Sequence, residues 1–144
     1  MRTTAKIIDA LGGWETRTPP VDSPEALKNW IRKGLPFASL ENVMKQFGIS
    51  REEISTALNL PARTLVRRKQ EKRLNRDESD RLFRFVRIAA QAVEVLGSEE
   101  KASRWLHSPN RALGGSRPLE VVDTDLGARE VESVLGRIEH GVYS

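Results

Sequence analysis

The stretch Ser50–Gln70, SREEISTALNLPARTLVRRKQ, decides the fold. Ser50 followed by Glu53 is a capping box, in which each residue satisfies a backbone donor of the other's turn. Ile54 and Leu58 fall on one face of the helix that follows. Asn59 tolerates the left-handed conformation that ends a helix. Pro61 then begins a second short helix, with Leu65 on its inner face. Two short helices joined by a tight turn are expected, with the small Ser55 where they cross.

A pair of this kind with a basic second member is the helix-turn-helix layout. Residues 61–76 carry seven Lys or Arg against the single acid Glu71, a net charge of +6. With Leu65 inward, Arg63, Thr64 and Arg67 are expected to project outward, with Arg68 beside them. Arg can bond guanine in a bidentate manner in the major groove, and Thr offers a hydroxyl or a methyl. Lys69, Lys72 and Arg73 are expected along the phosphates, where they raise affinity without reading sequence. The bland alternative is a solvated basic helix, with Arg68 paired to Glu71 or Glu78.

The same punctuation organises the flanks. Ser23 and Pro24 open a helix bearing Leu27, Trp30 and Ile31, which Gly34 ends and Pro36 blocks. SLENVMKQFG forms the next helix, with Leu40, Val43, Met44 and Phe47 inward and Gly48 as its stop. Asn75 with Glu78 opens a long helix ending at Gly97. Its two apolar stripes are Leu82, Val86, Ala89, Val93, Leu96 and Phe85, Ile88, Ala92, Val95. A helix apolar over so wide an arc must be covered on more than one side, which makes it a spine joining two sub-domains and a candidate dimer contact. Residues 1–22 read as a short helix over 3–11 followed by a Gly- and Pro-rich linker.

Beyond Gly97, a brief helix with Ala102, Trp105 and Leu106 leads into a loop, and Pro118 starts a single turn. Thr124 caps a last helix with the stripe Ala128, Val131, Leu135, Ile138 and Val142. Residues 119–144 are net −4, opposite in sign to the middle of the chain. A surface helix packed on its own domain explains the stripe. It does not explain Gly127 and Gly136, which cost ~1 kcal/mol each relative to Ala inside a helix; close approach of another backbone would. Arg129, Glu132, Arg137, Glu139 and Tyr143 are the residues expected to meet a partner.

Composition excludes several classes. With 38% apolar and 31% charged residues the chain can support a small core under a charged surface. There is no cysteine, which removes disulfides, zinc thiolates and thiol nucleophiles. No apolar run approaches the ~18–20 residues of a membrane span. The start, MRTTAKIIDALGGW, reads poorly as a signal peptide, so a soluble cytoplasmic protein is expected. His107 and His140 have no metal-ligand spacing, and Gly114-Gly115 lacks the P-loop pattern. No catalytic residue, metal or cofactor is expected. Trp14, Trp30 and Trp105 read as packing residues.

The segments SREEISTALNLPARTLVRRKQEKRLNRDESDRLFRFVRIAAQAVEVLG, KASRWLHSPNRALGGSRPLEVV and GAREVESVLGRIEHGVYS together resemble the Xre/MbcA/ParS antitoxins, which pair with RES-domain toxins. The most specific parts are W-L with N-x-A-L-G-G-x-x-P-L and G-A-R-E-V-E-x-x-L-G-R-I-E-x-G. Asn59, where Gly is common, and Arg111, where a second Pro is common, depart from the pattern. The resemblance spans about residues 35–144. The 3.6-type spacing along the chain points to an all-α protein, and the resemblance implies a helix-turn-helix domain with its spine helix over 35–97 and a toxin-binding domain over 98–144, with residues 1–34, an N-terminal helical extension and linker, outside it. The resemblance further implies operator binding as a homodimer with repression of the chain's own operon. The C-terminal region would cover the entrance to the NAD site of an NAD-degrading RES toxin. The rival reading is a plain transcription regulator whose C-terminal domain serves dimerisation or signal sensing.

Overall fold

The computed structural model describes residues 23–141, and among them the regular structure is helical. The helices are α1 (Pro24–Lys33), α2 (Phe37–Phe47), α3 (Arg51–Leu58), α4 (Ala62–Glu71), α5 (Arg76–Leu96), α6 (Glu99–Leu106), α7 (Pro118–Val121) and α8 (Asp125–Glu139). A 3-10 turn covers Arg111–Leu113, between α6 and α7. The helix and linker expected over residues 1–22, together with Val142 and Tyr143, lie outside the described residues.

The expected punctuation is realised in detail. Ser23, Ser50, Asn75 and Thr124 each accept a backbone N–H in the first turn of the helix they open, and so does Ser98, for which no cap was expected. Ser50–Glu53 and Asn75–Glu78 close reciprocally as capping boxes. Asn59 ends α3 in the left-handed region, at φ 52°. Two boundaries differ from expectation. Pro61 stands just outside α4 as its N-cap, and α2 starts at Phe37 directly after Pro36. In both places the proline contributes no N–H, so the first turn has one fewer donor to satisfy.

α5 is the spine. Its 21 residues run about 30 Å at 1.5 Å per residue. It packs against α1 and α3 on the N-terminal side and α6 and α8 on the C-terminal side. Leu82, Phe85, Val86, Ile88, Ala89 and Ala92 are fully enclosed, whereas Val93, Val95 and Leu96 near its end are half-buried. The two halves also touch directly: α2 against α6, and α3 against α7. One continuous core results, with Leu35, Leu40, Phe47, Ile54 and Leu58 joined through α5 to Leu106, Leu119, Val131 and Leu135. Trp30 is deeply buried as expected; Trp105 and Met44 are half-buried at the edge of the core.

Gly127 shows why the last helix keeps a glycine. A Cβ there would lie 1.7 Å from the Val121 carbonyl oxygen. The close approach is therefore made by the end of α7 in the same chain. Gly136 meets nothing within 4 Å, so its flank of α8 is open.

Candidate nucleic-acid and partner interfaces

α3 and α4 form the helix-turn-helix. Leu65 is the inward anchor of α4, and Ile54, Leu58 and Leu60 close the space beneath it. The Ser55 hydroxyl donates to the Leu60 carbonyl, so the small residue expected at the crossing also fastens the turn. The loop after α4 is stitched to the α1–α2 corner. Leu74 N–H donates to the Leu35 carbonyl at 2.9 Å, and Phe37 N–H to the Lys72 carbonyl at 3.1 Å. Gly34 is needed there, because a Cβ would come 2.3 Å from the Leu74 carbonyl oxygen.

The seven residues expected to contact DNA separate into distinct environments. Arg63 and Arg67 are exposed on the outer face of α4 and, among the described residues, make no ion pair. Thr64 is half-buried on the flank. Lys69 is exposed and lies 3.6 Å from Glu41. Lys72 is exposed at the C-terminus of α4 with a left-handed backbone, φ 66°.

Arg68 takes the pairing held as its alternative in the sequence, and Arg73 is exposed but tethered to the backbone. Arg68 turns inward: its Nε donates to Glu78 at 2.7 Å and its Nη1 to Glu71 at 2.9 Å, leaving the side chain 16% exposed. Those two carboxylates push the guanidinium pKa further up. Burial pushes the Glu78 carboxyl up, but Arg68 and the Asn75 amide outweigh it and hold it below the ordinary value. The physical reason is position: Arg68 shares the inner half of α4 with Leu65, facing the first turn of α5. Arg73 donates through Nη1 to the Gly34 carbonyl at 2.9 Å, tying down the loop after α4.

The outer arc also holds two residues that the sequence reading passed over. At 100° per residue, Arg63, Val66, Arg67 and Gln70 share an arc of about 100° opposite Leu65. Val66 and Gln70 are both exposed. Their i, i+3, i+4, i+7 spacing was the available signal.

On the C-terminal face, the expected partner-contacting residues that are described differ in their surroundings. Glu132 points back at the spine, where both its oxygens accept from Arg87, at 3.0 and 3.1 Å. Arg87 also stands over the Phe83 ring, 6.0 Å from its centroid. Glu132 is thus held by α5, because α8 lies along the spine and Glu132, about two turns into α8, faces Arg87. Arg129 is exposed and pairs with Asp125 at 2.9 Å along the helix. Arg137 is half-buried, Glu139 is exposed, and both remain at the far end of α8. Leu126, 72% exposed in the first turn of α8, was not anticipated.

A polar node ties this half to the helix-turn-helix. Besides capping Ser50, Glu53 accepts from Arg117 at 3.0 Å and lies 3.4 Å from His107 Nε2. Its carboxyl is held below the ordinary value by the Ser50 N–H first, then by Arg117 and His107. Among the described residues, no helix is long and apolar enough to cross a membrane.

Comparison with known proteins agrees with this division. Residues 31–87 match the antitoxin Xre-like helix-turn-helix domain, and residues 91–141 match the antitoxin Xre/MbcA/ParS C-terminal toxin-binding domain. The chain is 33% identical over 133 residues to antitoxin Xre of Yersinia enterocolitica, covering 91% of this chain and 90% of that protein. The figures for antitoxin Xre of Photorhabdus laumondii are the same. A protein of Sphingobium named Prs ADP-ribosylating antitoxin is 25% identical over 138 residues, 89% of this chain and 84% of its own length. With both domains matched and near-full-length similarity to named antitoxins, the chain belongs to the Xre family of antitoxins.

Proposed function

We propose that this antitoxin neutralises an NAD-degrading RES toxin by covering its active-site entrance, and represses its own operon by binding operator DNA as a homodimer. The reading assigns residues 35–97 to DNA and residues 98–144 to the toxin. Arg63 and Arg67 are the base-reading pair, flanked by Thr64 and with Lys69 and Lys72 along the phosphates. Arg68 supports the surface from within, and the exposed Arg73 ties down the loop after α4. Arg129, Arg137, Glu139 and Tyr143 meet the toxin, and Glu132 holds α8 in place for them.

The observation that carries the reading is the separation of charge: two arginines on the outer face of the second helix of the pair that make no ion pair among the described residues, and an acid-rich segment at the other end of the chain. Arginines so placed fit a phosphate-lined groove. The acidic balance of residues 119–144 disfavours DNA there and leaves that end available to a protein.

The test is co-expression with the product of the adjoining gene, co-purification, and an assay of labelled NAD. The label is followed into free products and into protein, since the Sphingobium relative's name refers to ADP-ribosylation of Prs. Expected is a stable complex whose NAD loss appears only when the antitoxin is removed. Replacing Arg63 and Arg67 by Ala should abolish operator binding and preserve neutralisation. Deleting residues 137–144 should do the reverse. Neutralisation that survives the deletion overturns the covering mechanism.

A further inference from the structure

Val66 is 48% exposed, and with Leu126 it makes up the exposed large apolar side chains among the described residues. Folding gives no reason for it. α4 is already anchored by Leu65, and a β-branched residue is a poorer helix former than the Lys, Gln or Arg that occupy the rest of the helix surface. Its neighbours on the outer arc are Arg63, one turn before, and Gln70, one turn after. Whatever covers this arc must therefore be strongly anionic and yet present an apolar spot about one methyl group wide between polar edges.

The major groove of DNA has that composition. Its walls are phosphates, its floor offers acceptors for arginine, and thymine alone places a methyl group there. RNA does not fit, because its deep, narrow major groove keeps side chains out and uracil has no methyl. We infer that Val66 is a sequence-specifying contact, which recognises the 5-methyl group of a thymine next to the base pair engaged by Arg63. The inference rests on the DNA-binding part of the function proposed above, and adds a base and a chemical group to it.

The experiment enriches duplexes from a random DNA pool with the full-length protein, then measures affinity for the enriched sequence at fixed salt. Each thymine is replaced in turn by deoxyuridine, which removes the methyl group and leaves the Watson–Crick edge intact. For the unaltered protein, one thymine in each copy of the recognised sequence should show a loss of about fourfold, the affinity equivalent of one buried methyl group. Val66→Ala should bind the thymine duplex about as weakly as the unaltered protein binds a duplex with that thymine replaced in every copy of the recognised sequence, and should lose the difference between thymine and uracil. Its salt dependence should be unchanged, because no phosphate contact is removed. Equal sensitivity in the two proteins, or no sensitive thymine, overturns the assignment of Val66 while leaving DNA binding intact. Failure to enrich any duplex overturns both.

Discussion

Gly127 and Gly136 stand in the same helix, and the same substitution should move stability in opposite directions. Gly→Ala in a helix interior is ordinarily favourable by about 1 kcal/mol. At Gly136 nothing lies within 4 Å of the added Cβ, so Gly136→Ala should gain close to that full amount. At Gly127 the Cβ would sit 1.7 Å from the Val121 carbonyl oxygen and 2.8 Å from its carbon, about half an ordinary contact distance. Both are backbone atoms, so no rotamer change relieves the clash; α7 and α8 must separate. That separation also strains the Thr124 cap, whose hydroxyl accepts the Gly127 N–H at 3.0 Å. Overpacking costs about 1–3 kcal/mol when a core can adjust. Because backbone must move here, we place Gly127→Ala at about 3 kcal/mol net destabilisation. Urea denaturation followed by circular dichroism measures both variants against the parent. A Gly127→Ala protein as stable as the parent would show that the α7–α8 junction yields freely, and would refute the reasoning.

Four further outcomes are expected. Glu78→Ala leaves Arg68 partly buried without its main partner and breaks the capping box of α5, so it should cost about 3 kcal/mol in denaturant titration; a loss under 1 kcal/mol would mean that Glu71 alone suffices. Glu53 and Glu78 both have folded pKa values below their ordinary one. Their contribution is therefore full above about pH 4.5 and falls as pH drops through the folded values, so thermal stability should decline below that point and the decline should be smaller in Glu53→Gln. Glu132→Ala should lower stability by about 1 kcal/mol, as for a half-exposed bidentate pair, with no more effect on toxin affinity than that loss implies. Arg137→Ala should do the opposite, and calorimetric titration with the toxin distinguishes them.

Much of this fold is written locally. Ser23-Pro24, Ser50 with Glu53, Asn75 with Glu78, and Thr124 each act within one helical turn, and each helix they announce is present. Leu65 inward and Arg63 and Arg67 outward follow from periodicity alone, because a helix fixes directions relative to its own axis. What periodicity cannot supply is the neighbour. Arg68 has only candidate partners, and Glu132 looks like a surface charge, until α5 is laid beside α4 and α8. Their partners stand 10 and 45 residues away, and the choice depends on where helices cross. Gly127 is similar: its glycine is visible in the sequence, but the carbonyl that demands it comes from α7. Val66 is legible by its spacing from Arg63 and Gln70, but it stands among arginines whose charge dominates the segment.

The Glu53 carboxylate answers to two masters, the first turn of α3 and the side chains of Arg117 and His107. This bears on how antitoxins of this kind can be recombined. A chimaera that joins one relative's DNA-reading half to another's toxin-reading half at the end of α5 cuts no helix in the middle, and looks like a clean exchange. It nevertheless replaces the Arg117 and His107 environment while keeping the Glu53 that was fitted to them. Retargeting such a protein to a new toxin therefore requires the Ser50–Glu53 turn to travel with the C-terminal half, although Glu53 and Arg117 are 64 residues apart along the chain.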